Sequence, residues 1–229
     1  MAYEWQFRLV WENREVFINA LGTTLALAGT VVVAGAALGL LLALARTSQN
    51  RTAARFALAY CELMRAVPTL VLLVWAYYCL PLLLNLNIPA FETAVLFFSL
   101  QQAAFVSESF RAGIESVPRG HSDAARTLGL GEFHIKTRIV LPQAFRRVLP
   151  ALVNESITAV KYASLASAIG VNEMLHAGTN LIAVTYRPLE VYSAIAVFYA
   201  ALILPLSWLS RRLEYRALFS RQRPNGEGM

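Results

Sequence analysis

The sequence has few cysteines and histidines, and no motif for binding nucleotides or for hydrolysis. Two cysteines, Cys61 and Cys79, are too few for a disulfide framework or a zinc cluster. The three histidines lack the spacing of metal ligands. The chain contains neither a G-x-x-x-x-G-K-[ST] phosphate loop nor a G-x-S-x-G nucleophile elbow, so it has no recognisable ATP site or hydrolase site of its own.

Charged residues are also scarce, at 15% of 229 residues, whereas 57% are hydrophobic and the mean hydropathy is +0.51. Uncharged runs cover 16–45, 66–91 and 191–210. A spanning helix needs about 20 predominantly apolar residues, and these runs are long enough. The composition therefore predicts an all-α integral membrane protein rather than a soluble enzyme or a nucleic-acid-binding protein.

The hydrophobic pattern predicts five spanning helices, at about 19–45, 57–84, 90–113, 148–171 and 190–210. Residues 19–220 are thus expected to form one transmembrane domain, and 221–229 a disordered tail. Trp5 and Trp11 suit a segment over 1–18 that lies at the membrane interface, although they also fit a mobile terminus. The first apolar run is too long for a cleaved signal peptide.

Basic residues predict the orientation of the chain, because they collect in cytoplasmic loops. Those in alternate loops are Arg46, Arg51 and Arg55, then Arg119, Arg126, Lys136, Arg138, Arg146 and Arg147, then Arg211, Arg212, Arg216, Arg221 and Arg223. The opposite loops hold only Arg187. We expect the N-terminus outside and the C-terminus in the cytoplasm, with the net charge of +6 facing lipid headgroups rather than nucleic acid.

The loop between the third and fourth predicted spans has the pattern of a short helix. Ser122 is a good N-cap, Asp123 suits the first turn and Gly129 suits the end. Such a helix has fewer than two turns and needs a packing partner, because short helices are barely stable alone. Ala124 and Ala125 permit close approach, which favours a protein partner.

This loop resembles the cytoplasmic signature of the permease subunits of ATP-binding-cassette importers, in the polar amino acid branch. The matching residues of the loop are Asp123-Ala124-Ala125, Gly129, Ile139 and Leu141-Pro142. Further similar segments are Gly22-Thr23-Thr24-Leu25, Arg65 with Pro68 and Thr69, Ser107-Glu108 with Arg111 and Gly113, Pro142 to Arg146, and Lys161 with Ser164 and Leu165. Asp123 replaces the family's usual Glu, and His121 stands where Gln is common.

The resemblance implies a type I importer permease with a five-helix core and a coupling loop at about 116–145. The coupling residues would be Asp123, Ala124, Ala125, Leu128 and Gly129. The implied partners are a cytoplasmic ATPase dimer, a second permease subunit and an extracytoplasmic solute-binding protein. ATP and Mg²⁺ would bind to the ATPase, so this chain would need no cofactor and would not itself be an enzyme. The implied location is the bacterial inner membrane.

Polar residues inside the fourth predicted span are the candidates for the substrate pathway: Glu155, Thr158, Lys161 and Ser164. Charges at membrane depth usually face a partner or a water-filled cavity. Glu155 could instead extend toward the interface and serve the structure only. Two carboxylates, Glu62 and Glu108, have an arginine three residues later and predict local ion pairs, while Pro68 predicts a kink in the second span.

Two other functional classes remain at this point. A channel or secondary transporter that works alone would often carry inverted repeats and paired broken helices, which the sequence does not display. A membrane-embedded enzyme would need a nucleophile with a base, or a metal site, and the intramembrane residues offer neither.

The expected topology can be tested by cysteine accessibility. Single cysteines at Asn87 and Thr179 should be labelled from outside, and those at Ser48, Ser122 and Ser220 only from the cytoplasm. Any other pattern would contradict both the topology and the family resemblance.

Overall fold

The computed structural model describes residues 3–219 and consists of helices joined by short loops, with no strand in that part of the chain. The α-helices are α1 (Arg8–Glu12), α2 (Arg14–Arg46), α3 (Arg51–Ala66), α4 (Thr69–Tyr78), α5 (Leu80–Leu84), α6 (Ala90–Glu115), α7 (Arg119–Thr127), α8 (Glu132–His134), α9 (Leu141–Leu165), α10 (Met174–Thr185) and α11 (Pro188–Phe219). A π-helix (Ile135–Val140) precedes α9, and a 3₁₀-helix (Ala166–Ile169) follows it.

Helix α6 lies at the centre and packs against α2, α3, α4 and α9. The main core joins Leu27 and Val31 of α2 to Leu73 of α4, Phe98 of α6 and Ala163 of α9. These side chains are fully or almost fully buried. The hydrophobic faces of α2, α4 and α9 therefore meet around α6.

Two glycines of α2 let this helix approach α6 closely. A Cβ atom on Gly35 would lie 2.6 Å from Cγ of Gln102, and one on Gly39 would lie 2.6 Å from Cγ1 of Val106. Real Cβ atoms do not approach other heavy atoms so closely. Gly35 and Gly39 thus serve as the contact surface, as small residues do where helices pack in membranes.

Three of the described helices are long and apolar enough to cross a membrane: Arg14–Arg46, Ala90–Glu115 and Pro188–Tyr215. A fourth crossing is possible if α3 and α4 are counted together, although they are bent by 97°. The all-helical membrane class is confirmed. The number of five spans stays a prediction.

The second predicted span, 57–84, is wrong as one continuous helix. The structure breaks it between Ala66 and Thr69, where Val67 is extended with φ −87° and ψ 128°. The reason is Pro68, which lacks an N–H group and disfavours a helical conformation of the residue before it. The kink that the sequence predicted at Pro68 is present as a sharp bend between α3 and α4.

The fourth predicted span, 148–171, corresponds to the later part of α9 and the 3₁₀-helix, and Gly170 ends it with φ +82°. The loop expected after it contains a helix that the sequence pattern did not reveal, α10. Glu173 caps α10 by accepting hydrogen bonds from the backbone N–H groups of Leu175 and His176, at 2.9 and 2.8 Å. An acidic residue before an apolar stretch was the available signal.

The N-terminal segment contacts the start of α11. The hydroxyl of Tyr3 and the backbone N–H of Gln6 donate to the Glu190 carboxylate, at 2.6 and 3.0 Å. Helix α2 already begins at Arg14, inside the 1–18 segment expected at the interface. The position of the 1–18 segment at a membrane surface stays a prediction. The expected tail at 221–229 lies outside the described residues.

The close contact of α2 with α6 predicts different effects for two glycines of α2. Gly39→Ala should lower the free energy of unfolding by about 1–3 kcal/mol, because the added methyl group meets Val106 and overpacks the interface. Gly29→Ala is the matched control, since nothing lies within 4 Å of its Cβ position. Thermal unfolding in detergent measures both, and an equal effect of the two variants would contradict the assigned contact.

Candidate functional site: the exposed helix α7 and the polar face of α9

Helix α7 projects from the ends of α6 and α9 and begins earlier than the sequence predicted. It runs from Arg119 to Thr127 and follows Pro118, with no side chain capping its start. Ser122 was expected at the N-cap and instead lies within the helix. Proline has a φ close to the helical value, so Pro118 suits the entry to a helix. The helix therefore begins directly after Pro118, and Ser122 lies in its interior.

The C-terminal end of α7 agrees with the prediction for Gly129. This glycine has φ +79°, and its N–H donates to the carbonyl of Arg126 at 2.9 Å. The N–H of Leu130 donates to the carbonyl of Ala125 at 3.1 Å. These two bonds form a Schellman motif, in which a residue with positive φ satisfies the last carbonyls of a helix.

The predicted coupling residues divide between two faces of α7. Ala125 is 3% exposed and faces the protein, where Ile135 of the π-helix is also buried. Asp123, Ala124 and Gly129 are exposed, and Leu128 is 81% exposed. Nearby Phe133 is 74% exposed. The outer face therefore combines small residues with large apolar side chains, a composition typical of a docking surface.

Polar contacts fix α7 relative to the rest of the chain. His121 and Gln143 of α9 are joined by a hydrogen bond of 3.0 Å between Nδ1 and Oε1. Arg126 binds Asp123 and Glu132, each at 2.8 Å. The hydrogen bond from Arg126 lowers the pKa of Glu132, so that carboxylate stays ionised at neutral pH. These contacts join α7 to α8 and to the start of α9.

A cluster of ionic side chains lies at the same end of α6. Glu108 accepts from Arg46 of α2 at 2.9 Å and from Arg111 of its own helix, and Arg65 of α3 lies 3.8 Å away. The predicted pair of Glu108 and Arg111 is confirmed. The predicted pair of Glu62 and Arg65 is wrong, because Arg65 is directed to Glu108 across the helix contact. One carboxylate therefore joins three helices.

The four substrate-pathway candidates all lie on α9. Thr158 and Lys161 are on its less buried face, together with Asn154, and Glu155 lies at the edge of that face. Ser164 is half-buried at the opposite edge, and its hydroxyl donates to the carbonyl of Lys161 at 2.8 Å. The structure thus places the candidates along one helix, spread around about half of its surface.

Glu155 is half-buried, and among the side chains of residues 3–215 its carboxylate has no hydrogen-bond donor or cation. Only its backbone carbonyl is engaged, by Nε2 of Gln102 at 2.8 Å. Lys161 is exposed and likewise forms no ion pair with the described residues. The two opposite charges therefore form no ion pair with each other.

Comparison with known proteins identifies the chain. Residues 35–218 match the family described as the binding-protein-dependent transport system inner membrane component. The chain belongs to this family. It is 35% identical to the glutamine transport system permease protein GlnP of Escherichia coli K12 over 94% of this chain and 98% of that protein. It is 33% identical to the arginine transport system permease protein ArtQ of Bacillus subtilis, over 86% and 90%.

Solved structures agree with this assignment. An amino acid ABC transporter crystallised with histidines matches the permease with a TM-score of 0.85 and 33% identity, over 93% of this chain and all of that chain. The MetNI methionine ABC transporter matches with a TM-score of 0.74 at 20% identity, over 88% of this chain and 96% of that chain, and so supports the fold alone. The permease therefore has the type I importer fold expected from its motifs.

The permease also contains a buried polar network that sequence reasoning missed. Glu173 is fully buried and accepts from the hydroxyl of Tyr199 at 2.7 Å. The adjacent N–H of Met174 donates to the hydroxyl of Thr24 at 3.1 Å. This network joins α2, α10 and α11 at the end of the permease away from α7. Among residues 3–219, no group of three or more His, Cys, Asp or Glu side chains could hold a metal ion.

Proposed function

We propose that this permease imports a polar amino acid, or a similar small zwitterion, and is driven by a cytoplasmic ATPase dimer that docks on α7. The N-terminus would lie outside and the C-terminus in the cytoplasm. The permease would bind no nucleotide itself, since ATP and Mg²⁺ would bind to the ATPase. A solute-binding protein would deliver the amino acid from outside.

The outer face of α7 is the observation that carries this proposal. Its central residues are small, its end is closed by Gly129 in a left-handed conformation, and the adjacent Leu128 is 81% exposed. A protein that docks on this polar, basic loop would cover both Leu128 and Phe133, which is 74% exposed. Buried Ala125 would seat the helix, while Asp123, Ala124, Leu128 and Gly129 would contact the ATPase.

The polar face of α9 supports the pathway. Asn154, Thr158 and Lys161 are half-buried or exposed on one chain, although they lie at the depth of a predicted span. A second permease subunit facing this side would enclose them in a cavity between the two chains. Glu155 and Lys161 would then attract the ammonium and carboxylate groups of a zwitterion, and Thr158 and Ser164 would offer hydroxyl groups.

A transporter or channel that works alone is the rival. In such a protein Leu128 and Phe133 would stay exposed to water with no partner. The hydrogen bond between His121 and Gln143, which joins α7 to α9, would then have no coupling role. Co-purification decides between the two: the proposal requires an ATPase subunit to be isolated with the permease from membranes.

Docking at α7 predicts the effect of one large substitution. Ala124→Arg should abolish uptake and reduce co-purification of the ATPase, because the long charged side chain prevents close approach. Ala124→Ser is the matched control, which stays small and should retain both. Membrane insertion, measured by the yield of the permease, should be equal for the two variants. Normal uptake by Ala124→Arg in an intact complex would contradict the docking site.

The end of α7 gives a second arm of the same test. Gly129→Glu should also abolish uptake, because it places a bulky charged residue at φ +79°. Gly129→Asn should retain most of it, since asparagine tolerates this conformation. Equal activity of the two variants would show that the backbone conformation at Gly129 is not needed.

The pathway assignment predicts the effect of removing one charge. Glu155→Gln should lower uptake of a zwitterionic or cationic amino acid by about tenfold or more, which corresponds to about 1.4 kcal/mol of lost charge pairing. The yield of the complex and its basal ATP hydrolysis should be unchanged. Glu62→Gln, an exposed carboxylate on α3, is the control. Lower complex yield with normal uptake per complex would make Glu155 structural.

A further inference from the structure

The bend between α3 and α4 leaves backbone carbonyls without helical partners. In a continuous helix the carbonyl of Met64 would accept from the N–H of residue 68, and Pro68 has none. The carbonyl of Val67 precedes the first helical hydrogen bond of α4, which runs from Leu72 to Pro68 at 3.0 Å. Inside a membrane such carbonyls need another donor, because water is absent.

Gln101 of α6 supplies that donor. Its Nε2 atom donates to the carbonyl of Met64 at 3.0 Å and to the carbonyl of Val67 at 2.9 Å. The side chain is 2% exposed. Two carbonyl acceptors decide the orientation of the amide, because the opposite orientation would bring Oε1 against both oxygens. Both hydrogens of one side-chain amide are thus used at the bend.

The hydrogen bonds of Gln101 also bear on the proposed pathway. Leu73 of α4 packs in the same core as Ala159 and Ala163, on the side of α9 opposite Thr158 and Lys161, and as Ala166 of the 3₁₀-helix. Helix α3 is held to α6 separately, since the hydroxyl of Tyr60 donates to the carbonyl of Leu100 at 2.9 Å. Because Tyr60 already holds α3, the hydrogen bonds of Gln101 would determine the direction in which α4 leaves the bend.

We propose that Gln101 is a positioning residue, which holds the second membrane segment in its bent form so that α4 packs in the core behind the pathway face of α9. The relevance to transport rests on the proposed function, whereas the bend itself does not. Loss of the amide would leave two carbonyls without donors. The segment would then relieve them by straightening or by moving away from α6.

Gln102 provides a matched control on the same helix. It is 1% exposed, and its Nε2 donates to the carbonyl of Glu155 at 2.8 Å. That carbonyl lies within continuous α9, where the N–H of Ala159 is also in position to donate. Removal of the Gln102 amide therefore leaves no carbonyl without a donor and should not alter the bend.

The test is a distance between spin labels at positions 56 and 78, where Phe56 and Tyr78 are exposed. The labels are placed in full-length chain carrying Cys61→Ala and Cys79→Ala, reconstituted in bilayers with the subunits that co-purify. Excess unlabelled chain ensures that only distances within one chain are measured. With a rise of 1.5 Å per residue, the bent form predicts a separation of about 22 Å and a straight helix about 33 Å.

Gln101→Leu should lengthen or broaden the distribution toward about 33 Å, while wild type and Gln102→Leu should stay near about 22 Å. An unchanged distance in folded Gln101→Leu, whatever its yield, would overturn the proposal. The same result for both glutamine variants would also overturn it. Uptake assays of the wild type are separate: a bend that responds to Gln101 in a chain that transports no amino acid would contradict the proposed function alone.

Discussion

The need to satisfy backbone carbonyls away from water is the constraint on which the arrangement around α6 depends. Gln101 meets it at the bend of the second segment, and Gln102 adds a donor to α9. The same helix offers close contact to Gly35 and Gly39 of α2. Hydrogen bonds and close packing thus both involve the central helix α6. The helices α2, α3, α4 and α9 are each positioned by their contacts with it.

The exposed helix α7 is held by local contacts and not by the core around α6. Its end is closed by its own backbone, through Gly129, and its inner face is seated by Ala125, so it is rigid without being part of the core. It connects α6 to the π-helix and α9.

Long uncharged runs were sufficient to predict α2 and α11, because a helix that satisfies its own backbone is the simplest structure for such runs in a membrane. Gly129 was also predictable, since a positive φ favours glycine strongly. The start of α7 was not, because Pro118 and Ser122 both suit a helix entry. The cap of α10 depended on Glu173, for which the local signal was its position before an apolar stretch, and that signal is weak because glutamate is not among the preferred N-cap residues.

The sequence by itself determined the membrane class, the approximate positions of the long helices, the short helix in the basic loop and the family, since these follow from composition and from residues close together in the chain. Tertiary structure alone decided which groups meet across the chain. Arg65 binds Glu108 rather than its neighbour Glu62, and Gln101 reaches carbonyls more than thirty residues away. Such pairings depend on the distance and rotation between packed helices, which local spacing does not specify.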